Sequence, residues 1–147
     1  MRVVTVNMGA ETVKAALVDV DDCAVGVLVH HAEPRAPSGG CREAVLRALR
    51  VVAPDPASVE AIGHRVVHCG PFRESVVIDD RTEAALARFS QFAPRHNLAA
   101  LEGIATTGEI FPQRPMVAAC VFSTDEERQI AEETARVVAR RTTTWSA

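Results

Sequence analysis

The chain has 147 residues, of which 48% are hydrophobic and 24% are charged, an ordinary composition for one soluble globular domain. Its net charge of -3 argues against a nucleic-acid or anionic-membrane partner, and no apolar run approaches the roughly 18 residues that a membrane span needs. The four cysteines show no C-x-x-C spacing and the N-terminus lacks a signal-peptide layout, so we expect reduced thiols and a cytoplasmic location.

Three strands open the predicted order of elements. Residues 2–7, 13–20 and 24–30 are rich in β-branched residues, and the polar break at residues 19–23 separates the second strand from the third. This pattern predicts an antiparallel meander. A loop rich in Pro, Gly and Ser follows it at residues 34–40.

A helix is predicted over residues 41–52, because its apolar residues recur at helical spacing. They are Val45, Leu46, Leu49 and Val52. The turn-forming sequence PDPAS ends this helix, and the next strand is predicted at residues 60–68.

Two helices are predicted before the last strand. Asp80 and Glu83 form a capping-box pattern at the start of the first one, and Pro94 is expected to close it. Leu86 and Phe89 are its inward-facing residues. The second helix spans residues 97–110, with an inward side formed by Leu98, Leu101 and Ile104.

The last strand and helix complete the chain. Residues 115–122 form a continuous apolar run, which is typical of a strand covered on both faces. Thr124 and Glu127 make a second capping box. The helix that they begin has one buried face, formed by Ile130, Ala131, Thr134, Val137 and Val138.

This order predicts a single ribonuclease-H-like α/β domain over residues 1–141, followed by a tail at residues 142–147. Three antiparallel strands are followed by β/α units, which gives a mixed five-stranded sheet with helices on its faces. This layout resembles the domain from which sugar kinases and related kinases, Hsp70-type chaperones and actins are built.

Four segments sharpen this prediction. The sequence VVTVNMGAETVK resembles the first strand and phosphate loop of acetate kinases, V-I-N-x-G-S-S-S-x-K. IGHRVVHCG resembles their G-H-R-V-V-H-G-G, and FAPRHNLAALEGI resembles their L-A-P-L-H-N-P-x-x-L-x-G-I. VFSTDEERQIAEETARVV is similar to their last helical segment, V-I-x-T-x-E-E-x-x-I-A-x-E-T. The chain therefore resembles the acetate kinase family, which includes propionate and butyrate kinases.

The resemblance implies a truncated homologue. Residues 1–119 resemble the family's N-terminal domain, and residues 120–141 resemble its C-terminal helix. The nucleotide-binding domain is missing, together with the F-D-T aspartate, the G-F-H-G-T-S-H histidine and the G-T-R-x-G-D arginine. Because phosphoryl transfer depends on positioning and charge neutralisation, we do not expect a competent acetate kinase, nor a nucleotide or metal cofactor.

Arg65 matches the family's arginine that binds the substrate carboxylate. A guanidinium group is planar and permanently charged, and it binds carboxylates or phosphates through two parallel hydrogen bonds. On an extended strand, Arg65, Val67 and Cys69 would share one face, so an apolar Val67 would accompany the cation. That combination suits a carboxylate with a short alkyl tail. The structural alternative is an ion pair with one of the chain's acids.

Three further residues match substrate-side positions of the family. His96 matches a histidine that would stabilise an oxyanion or act as an acid/base, and the alternative is a helix-entry residue beside a capping Asn97. Asn7 matches a phosphate-contacting asparagine, or else ends the first strand. Glu126 matches an acid that helps to hold magnesium, although acids are favoured in a first helical turn anyway.

The chain also departs from the family pattern. Arg95 replaces a leucine of the acetyl pocket, which indicates a more polar or anionic substrate, or a salt bridge that fills the site. The phosphate loop is altered, because Glu11 would repel a phosphate unless it turns away.

Cys69 replaces a glycine and is a possible nucleophile. His68, however, is a poor base for it, since adjacent strand residues point apart. His64 and His68 would lie about 13 Å apart on a strand, so we interpret both as structural.

The main functional hypothesis is a repurposed site. It would bind a small carboxylate, acyl or phosphorylated metabolite through Arg65, Val67, Arg95, His96 and Asn97, and act on it without ATP. One alternative is an inactive pseudokinase that serves as a regulatory or scaffolding subunit, and another is half of a split acyl kinase. The face left by the missing domain predicts a homo-oligomer or a protein partner.

Overall fold

The computed structural model describes residues 1–21, 24–35, 40–119 and 126–144, and within the last range the side chains of residues 128–140. The strands are β1 (Arg2–Met8), β2 (Thr12–Val20), β3 (Val25–Pro34), β4 (Ala61–Arg65), β5 (Val76–Val77) and β6 (Met116–Ala119). The helices are α1 (Cys41–Val52), α2 (Asp80–Phe89), α3 (Pro94–Ile110) and α4 (Glu126–Thr144), with short 3-10 turns at Pro56–Ser58 and Ser90–Phe92. None of the helices in these ranges combines the length and apolarity of a membrane span.

These strands form one mixed sheet in the order β3-β2-β1-β4-β6-β5. The β1–β2, β2–β3 and β5–β6 pairs are antiparallel, and the β1–β4 and β4–β6 pairs are parallel. The predicted α/β fold class and the initial meander are confirmed. The sheet has six strands rather than five, because the two-residue β5 is too short to leave a periodic pattern in the sequence.

Helices cover both sides of the sheet. On one side, Val4 and Val6 of β1 and Ile62 of β4 pack in a cluster with residues of α1 such as Val45. On the other side, Val3 of β1 packs in a cluster with residues of the neighbouring strands and of α4, namely Ala16, Val18, Ala61 and Ala131. Because successive side chains of β1 and β4 point to opposite faces of the sheet, one face of each strand packs against α1 and α3 and the other against α4. We call these faces the α1/α3 side and the α4 side.

Two predicted helix starts are corrected. The cap of α2 is Asp79, whose Oδ1 accepts a hydrogen bond of 2.8 Å from the Thr82 backbone N–H, and not Asp80. Either aspartate satisfies the sequence preference for a cap, so the pattern was right to within one residue. Pro94 begins α3 rather than closing the previous unit, since a proline at the first helical position loses no hydrogen bond. Thr124, the other predicted cap, lies outside the described residues.

The remaining boundaries follow from packing. The prediction of α1 at 41–52 is confirmed. β4 ends at Arg65 rather than at residue 68. The predicted alternation of side chains between the two faces of the strand therefore stops at Arg65. On α3, Leu98 is 56% exposed and was wrongly assigned to the inward side. The buried side of that helix carries small and polar residues instead, including Asn97, Ala100, Gly103 and Thr107.

Candidate anion-binding site

Two of the predicted site residues, Asn7 and Arg65, lie at the carboxyl ends of β1 and β4. Asn7 pairs with Arg65 in the parallel register of these strands, and with Lys14 in the antiparallel register of β1 and β2. Residues paired in register point to the same side of a sheet. Lys14, Asn7 and Arg65 therefore form one row across three adjacent strands, which we call the Asn7 row.

The Asn7 row lies on the α4 side of the sheet. Gly63, two residues before Arg65, shows this directly, because a Cβ added there would lie 2.2 Å from Thr134 Oγ1 of α4. Arg65 has the same orientation by strand alternation. Asn7 is buried, with 6% of its surface exposed, and Arg65 is partly buried. The row thus combines a buried amide with an arginine and a lysine near strand ends.

Lys14 was not among the residues predicted for the site. It is exposed, and nothing in the local periodicity of β2 separates it from an ordinary surface lysine. The available signal was the motif itself, since the lysine that ends VVTVNMGAETVK matches the last residue of the family pattern. The register of β1 and β2 brings Lys14 beside Asn7.

The chain after Arg65 is held by the first turns of α3. Asn97 is buried, donates a 2.7 Å hydrogen bond from Nδ2 to the His68 carbonyl, and accepts one of 3.2 Å on Oδ1 from the His68 N–H. Asn97 is therefore not a helix cap, and the cap position, Ala93, makes no side-chain cap bond. Both ends of its amide are used in positioning the segment that follows β4.

His96 and Arg95 are brought to this segment by the same contact. They lie in the first turn of α3, immediately before Asn97. His96 is partly buried and Arg95 is exposed. The two bonds between Asn97 and His68 thus bring the first turn of α3 against the chain that leaves Arg65.

The predicted alternation beyond Arg65 is wrong. Val66 and Cys69, which were assigned to opposite faces, are both buried in one cluster with Leu86, Ala100, Ile104 and Ala118. Val67 is partly buried. Because β4 ends at Arg65, residues 66–70 are free of the two-residue repeat of a strand.

His68 belongs to an aromatic stack. Its ring lies 5.1 Å from the Phe92 ring and 6.4 Å from the Phe89 ring, centroid to centroid. Its Nδ1 also accepts a 3.3 Å hydrogen bond from the Gly70 N–H. Gly70 has a φ of 60°, a conformation that glycine adopts without strain. These contacts give His68 a structural role in the turn after β4.

His64 is a core residue on the opposite side of β4. Its Nε2 lies 2.8 Å from Thr107 Oγ1, which itself donates to the Ile104 carbonyl. Thr107 therefore accepts from His64, and the buried Nδ1 atom is left without a hydrogen-bond partner among the described residues. Complete burial lowers the pKa of His64 from its usual 6.5 to about 3, so the ring stays neutral.

The two cysteines with described side chains do not supply a thiolate. Cys69 is disulfide-bonded, which differs from the expectation of reduced thiols and from a nucleophilic Cys69. Cys41 is a free, buried thiol. Burial, followed by a hydrogen bond to Glu102, raises the pKa of Cys41 to about 11.

The described residues contain no clustered set of metal ligands. Across residues 1–21, 24–35, 40–119 and the described side chains of α4, no group of three or more His, Cys, Asp or Glu is arranged to hold a metal ion. Glu126, the predicted magnesium-side acid, is the first residue of α4, and its side chain lies outside the described part.

Comparison with known proteins gives a consistent result. The model of the acetokinase family matches residues 42–142. The acetate kinase of Streptomyces avermitilis is 35% identical over 161 residues, covering 92% of this chain, and the propionate kinase of Klebsiella pneumoniae is 33% identical over 149 residues, covering 89%. The acetate kinase structure from Entamoeba histolytica aligns with a TM-score of 0.67 at 18% identity, covering 81% of this chain.

The matches cover much less of the relatives. The aligned part is 39% of the Streptomyces protein, 37% of the Klebsiella protein and 36% of the Entamoeba structure. The chain thus spans little more than a third of the length of the kinases that it matches. The family model covers more than half of the chain, and the chain belongs to the acetokinase family.

Proposed function

We propose that the chain binds a small carboxylate or acyl phosphate at the Asn7 row and acts on it without ATP. The observation that carries this proposal is the register of Asn7 with Arg65 at the carboxyl ends of two parallel strands. Open α/β sheets bind ligands beyond the carboxyl ends of their strands. A guanidinium there, with Lys14 two strands away, favours an anion.

The class of ligand is supported by the relatives. They are named acetate and propionate kinases, and both names refer to short carboxylates. Arg65 would hold the carboxylate or phosphate oxygens, and Asn7 would donate from its amide. The exposed Arg95 extends the positive charge at the first turn of α3 and favours a polar or doubly charged ligand.

His96 is the proposed acid/base. Among reactions that need no nucleotide, hydrolysis of an acyl phosphate requires only water as a co-reactant. His96 would take a proton from water as the water oxygen attacks the acyl carbon, and the bond from that carbon to the phosphate oxygen would break. Arg65 would then stabilise the departing phosphate.

The test is a calorimetric titration of wild type and Arg65→Ala with acetate, propionate, succinate, acetyl phosphate and, separately, Mg–ATP. We expect an anion to bind wild type and to bind Arg65→Ala about tenfold more weakly, because a hydrogen bond to a charged group is worth about 1.5 kcal/mol or more. Arg88→Ala is the matched control, since Arg88 is an exposed arginine in the last turn of α2. Equal affinities of Arg65→Ala and wild type would refute the site.

Turnover is measured separately. His96→Gln should abolish phosphate release from acetyl phosphate while leaving the affinity of acetate within about twofold, because glutamine keeps polarity but cannot exchange the proton. Unchanged release in this variant would leave a binding protein rather than an enzyme.

The second candidate function is a non-catalytic subunit that associates with another copy of itself. Two large apolar side chains beside the first turns of α3 favour it, because Phe92 is 61% exposed and Leu98 is 56% exposed. Light scattering of wild type and a Phe92→Ser/Leu98→Ser variant tests it. We expect a dimer that the double variant converts to a monomer, and a monomeric wild type would remove this candidate.

A further inference from the structure

A separate polar cavity of about 310 Å³ lies between α4 and the residues that precede β5. Three arginines line it, namely Arg73 before β5 and Arg136 and Arg140 on α4. Neither Asn7 nor Arg65 is part of its wall. The cavity is therefore distinct from the Asn7 row, although α4 borders both.

The charges in this cavity do not cancel. Arg136 forms an ion pair with Glu133 one turn earlier, and Arg140 Nη1 lies 3.4 Å from Glu74 Oε2. Arg73 makes no hydrogen bond or ion pair with any residue that the structure describes. Each guanidinium has five N–H donors, and those of Arg73 are not used by any residue that the structure describes. The cavity thus has an excess positive charge and unused donors.

A buried acceptor accompanies these donors. Oε1 of Gln129 on α4 is buried in the wall of the same cavity and has no hydrogen-bond partner among the described residues. A buried carbonyl oxygen without a donor costs about 1–3 kcal/mol, so it favours a ligand that donates a hydrogen bond to it. The required ligand therefore has negative charge together with an O–H group.

Inorganic phosphate meets both requirements. At neutral pH each phosphate ion keeps at least one P–OH group, whereas sulfate and dicarboxylates at the same pH are pure acceptors. Its other oxygens match the fork of an arginine, which binds tetrahedral oxyanions through paired N–H groups. Ser75 adds a hydroxyl group to the wall.

We propose that the cavity lined by Arg73, Gln129, Arg136 and Arg140 is a binding site for inorganic phosphate. Phosphate oxygens accept from the guanidinium groups of Arg73 and Arg140, and its P–OH group donates to Gln129 Oε1. This site is independent of the proposed function of the Asn7 row, because the two share no side chain.

The experiment is a titration of the 15N-labelled protein with phosphate, sulfate and succinate at constant pH and ionic strength, followed by NMR at the amides of residues 73–75 and 129–140. We expect phosphate to shift these amides and to bind about tenfold more tightly than sulfate or succinate. Arg73→Ser should weaken phosphate binding about tenfold without altering the fold, since Arg73 has no partner in the described chain.

Two further variants make the test specific. Gln129→Leu should remove the preference for phosphate over sulfate, because it deletes the acceptor and keeps the guanidinium groups. Arg88→Ser on α2 is the control and should leave phosphate binding unchanged. Arg65→Ala should also leave it unchanged, which separates this site from the Asn7 row. Equal binding of phosphate and sulfate by wild type, or equal effects of Arg73→Ser and Arg88→Ser, would mean an adventitious ion only and would overturn the proposal.

Discussion

The two sides of β4 place His64 and Arg65 in different environments. On the α1/α3 side, His64 is completely buried, neutral and bonded to Thr107. On the α4 side, Arg65 is partly buried at the strand end, in register with Asn7. The two residues are adjacent in the sequence, so their different environments arise from the alternation of the strand and from the point where it ends.

This difference separates a core histidine from a candidate anion-binding arginine. A histidine that cannot be protonated near neutral pH adds hydrogen bonding to the core but no charge. An arginine at a strand end keeps its charge and part of its exposure, as an anion site requires. On the same α4 side, Gly63 leaves room for Thr134 and Ile130, which brings α4 close to the sheet. The three predictions that follow test this contrast, from the largest expected effect to the smallest.

Gly63→Ala should have the largest effect, on the α4 side. The added Cβ would lie 2.2 Å from Thr134 Oγ1 and 2.7 Å from Ile130 Cγ2, so α4 must move. We expect the free energy of unfolding to fall by about 3 kcal/mol, as in severe overpacking of a core. Urea unfolding followed by circular dichroism measures it.

Gly26→Ala on β3 is the matched control, because an added Cβ there meets nothing within 4 Å. Its stability should equal that of wild type to within about 0.5 kcal/mol. A Gly63→Ala protein as stable as Gly26→Ala would show that α4 does not pack closely on β4.

Acidification tests the opposite side of the strand. The pKa of His64 falls from 6.5 to about 3 on folding, so between these values the unfolded chain binds the extra proton. This contribution to stability is complete above pH 6.5 and is lost as the pH falls toward 3. At pH 4.5 we expect a loss of about 2.5 kcal/mol relative to pH 7.5 from this group alone.

The measurement is the difference in unfolding free energy between wild type and His64→Leu at several pH values. Leucine has a similar volume and does not titrate, so the variant should lack this part of the pH dependence. Parallel pH profiles for the two proteins would mean that His64 is not buried in its neutral form.

Asn97→Ala should have the smallest of the three effects. It removes both hydrogen bonds to the His68 backbone and should lower the unfolding free energy by about 2 kcal/mol. Because these bonds bring the first turn of α3 against the chain after Arg65, anion binding at the Asn7 row should weaken as well. Leu98→Ala, at an exposed neighbouring position, is the control and should change neither quantity appreciably. Normal anion affinity in Asn97→Ala would mean that this contact stabilises the fold without positioning the site.

Local patterns predicted those elements whose packing follows their periodicity. The spacing of Val45, Leu49 and Val52 predicted α1 with its bounds, and the apolar run at residues 115–122 predicted the buried β6. Apolar periodicity failed to predict the structure where the buried residues are polar or where a strand is short. Leu98 fits a helical apolar face as well as Leu101 does, yet Asn97 occupies the buried position because it bonds a distant backbone.

The candidate site divides in the same way. Arg65, Asn7 and His96 were predicted for the site from motifs, since each stands within a stretch that resembles the family's sequence. Lys14 was not predicted for the site, because its position beside Asn7 depends on the β1–β2 register. The cavity at Arg73 and Gln129 could not be predicted from the sequence either, because its two walls come from segments more than 50 residues apart.

By itself, the sequence determined the family, the α/β class and the order of the main elements, because motifs and apolar periodicity are local properties of the chain. Only the tertiary structure decided which side of β4 faces α4, where that strand ends, and which polar side chains are used internally. These features depend on strand register and on contacts between distant residues such as His64 with Thr107 and His68 with Asn97. Their energies arise only when the segments meet, so no local pattern in the sequence encodes them.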